Sequence, residues 1–78
     1  MKLNIKTMTG IYSVDAEPTD SILKIKEKIQ DQLGIPPSKQ RLLIANEWLE
    51  DDNQSVGDIE NLLNRTNNTI NLRIKMGI

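Results

Sequence analysis

The chain has 78 residues, with 10 Lys plus Arg against 11 Asp plus Glu, 37% hydrophobic residues, and no His, Cys or Phe. That length is room for one domain with a small core, because a chain of this size buries only about 60–65% of the surface its unfolded form exposes. Without Cys or His there is no disulfide framework, thiol nucleophile, cysteine zinc cluster or imidazole base, and a net charge of −1 argues against a general electrostatic grip on DNA or RNA while leaving room for a local basic patch.

Met1, Leu3 and Ile5 alternate with Lys2, Asn4 and Lys6, the period-2 pattern of a strand with one buried face, so the N-terminus reads as neither a signal peptide nor a membrane span. Thr7-Met8-Thr9-Gly10 is a turn, and Tyr12, Val14 and Ala16 alternate again as far as Glu17-Pro18, which predicts a β-hairpin. Ser21 is a preferred N-cap, with Asp20 beside it to complement the helix dipole, and Ile22, Ile25, Ile29 and Leu33 form one apolar stripe. Lys24, Lys26, Glu27, Lys28, Gln30 and Asp31 take the other faces, with Lys24–Glu27 and Lys28–Asp31 as opposite-charge pairs. Gly34 at C′ and Pro36-Pro37 end a helix predicted over Ile22 to Leu33.

In Gln40 to Ala45 a strand turns Leu42 and Ile44 one way and Arg41 and Leu43 the other. Asn46-Glu47 is the expected turn, Trp48-Leu49 a very short strand, and Glu50 to Asn53 a solvated acidic loop. Val56, Ile59 and Leu62 fit a short helical turn under the sheet, and Ile70, Leu72, Ile74 and Met76 alternate in a final strand. The order β-β-α-β-β, short helical turn, β describes an α+β domain over 1–78, a mixed sheet packed on one helix.

Candidate chemistry is sparse. The carboxylates Glu50, Asp51 and Asp52 are consecutive and so point to water rather than converge in a dry pocket, and they lack the Gly and distant Glu of a calcium loop. The serines have no His partner and the four glycines are isolated, so neither a catalytic triad nor a phosphate cradle is expected. No enzyme, metal or cofactor reading survives. What remains is surface, with two readings. In one, Trp48 completes the core and Leu43 is a single exposed apolar side chain. In the other, Met8, Leu43 and Trp48, with Asn71 among them and Lys6, Arg41, Arg73 and Lys75 at the edges, form a shallow patch for a protein partner.

The segments MKLNIKTMTG at the N-terminus, EPTDSI from Glu17, KIQDQLGIPPSKQRLLIA from Lys28 and Leu49-Glu50-Asp51 resemble the ubiquitin family over nearly the whole chain, with GIPP followed by QRL as the most specific stretch. The resemblance implies the β-grasp fold and a non-enzymatic role as a tag or a docking domain. In the family's main recognition surface a Leu, an Ile and a Val come together, and the matching positions are Met8, Leu43 and Arg73, so a long cation stands where a methyl-bearing side chain is usual. Conjugated members end in Leu-Arg-Gly-Gly, whereas the last residues here are Lys75-Met76-Gly77-Ile78. A principal linkage lysine looks replaced by Glu47 and another finds no match near Arg65 to Asn68, while Lys6, Lys26 and Lys28 match family lysines and are the candidate acceptors.

These departures point to a domain that docks non-covalently on proteins of the ubiquitin–proteasome system, as the N-terminal module of a longer adaptor. The alternative is a ubiquitin-like modifier whose C-terminus is truncated or processed elsewhere, and a third reading is a packing subunit of a larger complex. No nucleic acid or membrane partner is expected, and the domain is expected to be a monomer of the cytoplasm or nucleus.

Overall fold

The computed structural model describes residues 1–75, so the expected run of the last strand to Met76 and the segment Gly77-Ile78 lie outside the described residues. Strand β1 (Lys2–Thr7) and β2 (Gly10–Asp15) form the N-terminal hairpin, one residue later at the start than the alternation suggested. Helix α1 (Ile22–Leu33) has the expected bounds. The Ser21 side chain accepts the Lys24 amide at 3.1 Å, and Gly34 takes a left-handed φ of 75° while its N–H donates to the Gln30 carbonyl, so both ends of the helix are satisfied as the capping residues require.

A single 3-10 turn (Pro37–Lys39) leads into β3 (Gln40–Ile44), whose alternating burial follows the expected phase. The hairpin to β4 (Glu47–Trp48) turns one residue earlier than expected: Ala45 and Asn46, not Asn46 and Glu47, take the positive φ values of 50° and 66°. Two left-handed residues match the twist of a tight hairpin, and the shift leaves Leu49 outside the strand, buried beneath it. After a 3-10 turn at Val56–Ile59 and helix α2 (Glu60–Arg65), β5 (Thr69–Ile74) closes the sheet. The buried residue of this helical segment is Leu63, while Leu62 is only partly covered.

The strands lie in the order β2-β1-β5-β3-β4, with β5 parallel to β1 and all other pairs antiparallel. This mixed sheet wrapped on α1 is the β-grasp arrangement. Leu3, Ile5, Val14, Leu42, Ile44, Ile70 and Leu72 from the sheet meet Ile22, Ile25 and Ile29 from the helix, with Val56, Ile59 and Leu63 filling below.

Two polar clasps hold the long connections. The segment 52–57 is strapped along the helix entry by four backbone bonds, Ile22 to Gln54, Leu23 to Asp52, Val56 to Asp20 and Gly57 to Pro18. At the helix exit, Gln40 is only 1% exposed, and its amide donates to the carbonyls of Lys26 at 2.8 Å and Ile35 at 2.9 Å. One buried side chain therefore ties β3, α1 and the loop after it together. The sequence pattern placed Lys26 on a wet face, but it is 7% exposed and its ammonium pairs with Asp52 at 2.8 Å. The expected Lys28–Asp31 pair is likewise replaced, because Lys28 reaches back to Asp20 at 3.0 Å, and Lys24–Glu27 does not form among the described residues.

Candidate functional site

Strand register alone assembles the sheet's outward face. Ile11 stands beside Lys6, Lys6 beside Asn71, Asn71 beside Leu43 and Leu43 beside Trp48, so one row of side chains crosses all five strands. Partnered residues share a face, and the inward phase of Leu3, Ile5, Leu42, Ile44, Ile70 and Leu72 leaves this row on the opposite side. In the next row Arg41 stands directly opposite Arg73. Lys6, Arg41, Leu43, Trp48, Asn71 and Arg73 are thereby brought to one surface.

Trp48 is 42% exposed, so it does not complete the core. Its ring is capped by the Arg41 guanidinium at 3.9 Å from the ring centre, a cation–π contact that covers part of the indole and holds Arg41 in place. Arg41 also reaches Glu50 at 3.4 Å. The acidic loop is solvated as expected, with its carboxylates engaged locally: Glu50 faces Arg41, Asp51 accepts the Asn53 amide, and the half-exposed Asp52 holds Lys26. Each carboxylate is turned a different way, so the three do not converge.

Met8 lies outside the strand pairing that assembles this row. At the tip of the first hairpin it is 94% exposed, and it lines an apolar cleft of about 620 Å³ with Tyr12, Leu33, Ile35, Leu72 and Ile74. Arg73 lies on the rim of this cleft and on the outward face, and so links the two areas. The periodic reading counted Ile74 as core and passed over Ile11. Ile74 is half exposed in the cleft it shares with Leu33 and Ile35, and Ile11 is exposed because the Tyr12, Val14, Ala16 phase throws it outward. That clash of phase was the available signal for Ile11.

Among the candidate acceptor lysines, Lys6 is exposed on the outward face, Lys28 is engaged with Asp20, and Lys26 is buried in its pair with Asp52. Lys26 is therefore not on the wet face that the sequence pattern assigned to it. Asp20 accepts the Glu17 amide and then the Lys28 ammonium, which together hold its carboxyl below the usual range. Among the described residues no group of three or more His, Cys, Asp or Glu is placed to hold a metal ion, and no helix is long and apolar enough to cross a membrane.

Comparison with known proteins agrees with this geometry. The model of the Ubiquitin family matches residues 3–77. Ubiquitin-like protein NEDD8 of Dictyostelium discoideum is 43% identical over 53 residues, 67% of this chain and 69% of that protein. Ubiquitin-like protein 1 of Schizosaccharomyces pombe is 42% identical over 53 residues, covering 67% and 68%. Ubiquitin domain-containing protein 7SL RNA2 of Arabidopsis thaliana is 43% identical over 53 residues, again 67% of this chain but only 20% of the relative.

Proposed function

The chain belongs to the ubiquitin family, and from that premise we propose that it is a protein-recognition module that docks non-covalently on proteins of the ubiquitin pathway through the outward face of its sheet. The observation that carries this reading is the row Ile11, Lys6, Asn71, Leu43, Trp48, a continuous strip with apolar side chains at both ends and polar ones between. Its Leu43–Trp48 end, with Arg41 stacked on the indole and Asn71 and Glu50 beside it, supplies the Trp and Arg anchors with polar neighbours that protein interfaces favour. The relative in which the matching unit is 20% of the whole protein supports the use of such a unit as a domain within a larger chain.

Calorimetry with proteasome ubiquitin-receptor subunits and ubiquitin-binding helices tests the proposal. Leu43→Ala and Trp48→Ala are expected to weaken binding by about 10-fold or more, as buried interface anchors do, and unchanged affinity in both variants contradicts it. A second reading, a covalent protein modifier, draws support from the two relatives of ubiquitin-like protein type that match over about two thirds of their own length. A thioester assay with a ubiquitin-family activating enzyme on the full gene product separates the two, since only a modifier forms the thioester.

A further inference from the structure

Most aliphatic hydroxyls of the chain are committed to the fold. Ser21 and Ser55 accept the amides of Lys24 and Asp58. Thr7, Thr66 and Thr69 donate to the carbonyls of Gly10, Leu62 and Asn67, and the Thr9 hydroxyl meets those of Thr7 and Tyr12. Among the described residues, Ser13, Thr19 and Ser38 keep exposed hydroxyls without a partner. Their surroundings differ. Thr19 lies between Glu17 and Asp20 in the chain, and Ser13 is fixed in the β1–β2 ladder with Asp15 two residues on. Ser38 stands in the 3-10 turn (Pro37–Lys39) among cations, next to Lys39 and in one cleft with Lys26, Arg41 and Lys75.

The cations here outnumber the carboxylates that face them. The Lys75 N–H donates to the Lys39 carbonyl at 2.7 Å, which carries the β3–β5 pairing one step past Gln40 and Ile74 and brings Lys39 and Lys75 together. Of the carboxylates in the cleft, Asp52 is taken by Lys26 and Glu50 meets Arg41 at a long 3.4 Å. Lys39 and Lys75 form no ion pair among the described residues, and like charges on neighbouring strands oppose folding. We infer that Ser38 is a phosphorylation site whose phosphate is held by Lys75 and Arg41, with Lys39 beside it. A protein kinase transfers the γ-phosphoryl group of ATP: the bond from phosphorus to Ser38 Oγ forms as the bond to the β-phosphate oxygen breaks, ADP leaves, and the hydroxyl proton passes to the kinase's base. The ester brings about two negative charges and three acceptor oxygens. It can take N–H donors from both sides of the cleft, and so ties the turn before β3 to the end of β5. This site is independent of the docking reading above.

Two experiments on the whole chain test it. After incubation with ATP and a kinase that prefers basic residues following the acceptor serine, phosphopeptide mapping is expected to find Ser38 as the main site. Phosphate on Ser13 or Thr19 with Ser38 unmodified overturns the assignment. The chain carrying phosphate on Ser38 alone is expected to melt about 4 °C higher than the unmodified chain at low salt, with the gain shrinking as salt rises. Lys75→Gln is expected to lose most of that gain. An unchanged or lowered midpoint, or an undiminished gain in Lys75→Gln, overturns the receiving cleft. An equal rise in the unmodified chain with inorganic phosphate at the same ionic strength overturns the ester as the source, because the cations would then serve a free anion.

Discussion

Arg73 and Ala45 each stand where local physics would prefer another residue. Opposite Arg41, a side chain without charge avoids repulsion and a β-branched one suits the strand. Arg73→Thr is therefore expected to raise the unfolding free energy by about 0.2–1 kcal/mol, the range of a cross-strand pair term, measured by urea denaturation at low salt. A loss of stability would mean that the arginine stem packs in a way its exposure conceals. Ala45 holds a φ of 50° in the tight turn before β4, a conformation that costs an L-residue about 1 kcal/mol relative to Gly. Ala45→Gly is expected to stabilise by up to about 1 kcal/mol, reduced by the greater freedom Gly gives the unfolded chain, and the same denaturation curves check it.

At the scale of elements, the contrast between helix α1 and the clasp around it is instructive. The bounds of α1 were legible because each signal is local: Ser21 before the first turn, the isoleucine stripe, then Gly34 and Pro36. Gln40 and Lys26 were not legible, because their burial is decided by partners 14 and 26 residues away in sequence. Gln40→Ala is expected to cost about 2–4 kcal/mol, since it leaves a cavity and removes the amide that donates to the Lys26 and Ile35 carbonyls, a loss lessened because Gln40 Oε1 is buried without a partner. Chemical denaturation reads this directly, and a cost below that of an exposed-site substitution would contradict the clasp.

The helix entry carries a pH signature. The Asp20 carboxyl titrates below its usual value, first because of the Glu17 amide and then because of Lys28. A carboxyl lowered on folding adds stability that is fully present above its unfolded pKa of about 4 and is lost as pH falls through the lower folded value. Asp20→Asn is thus expected to flatten the decline of stability below about pH 4 while lowering the plateau above it. Superimposable acid limbs in parent and variant would show that Asp20 contributes nothing.

For the whole molecule, the division of labour follows the two faces of one sheet. The inner face meets α1 and uses the aliphatic side chains that alternation marks as core, so the β-grasp fold was legible almost throughout. The outward face was legible residue by residue, as in Leu43 and Trp48, but not as a surface, because contiguity depends on register between strands distant in sequence. Register is also what set Arg41 against Arg73, while Met8, in the turn between β1 and β2, has no place in that register and lines a cleft with Ile35 and Ile74. The central claim is that this outward face is where partners dock. An amide chemical-shift titration of the isotopically labelled protein with a proteasome ubiquitin-receptor subunit tests it most directly: the account predicts perturbations concentrated at Lys6, Arg41, Leu43, Trp48, Asn71 and Arg73 with the exposed side of α1 unmoved, and perturbations confined to α1 or spread evenly over the chain would contradict it.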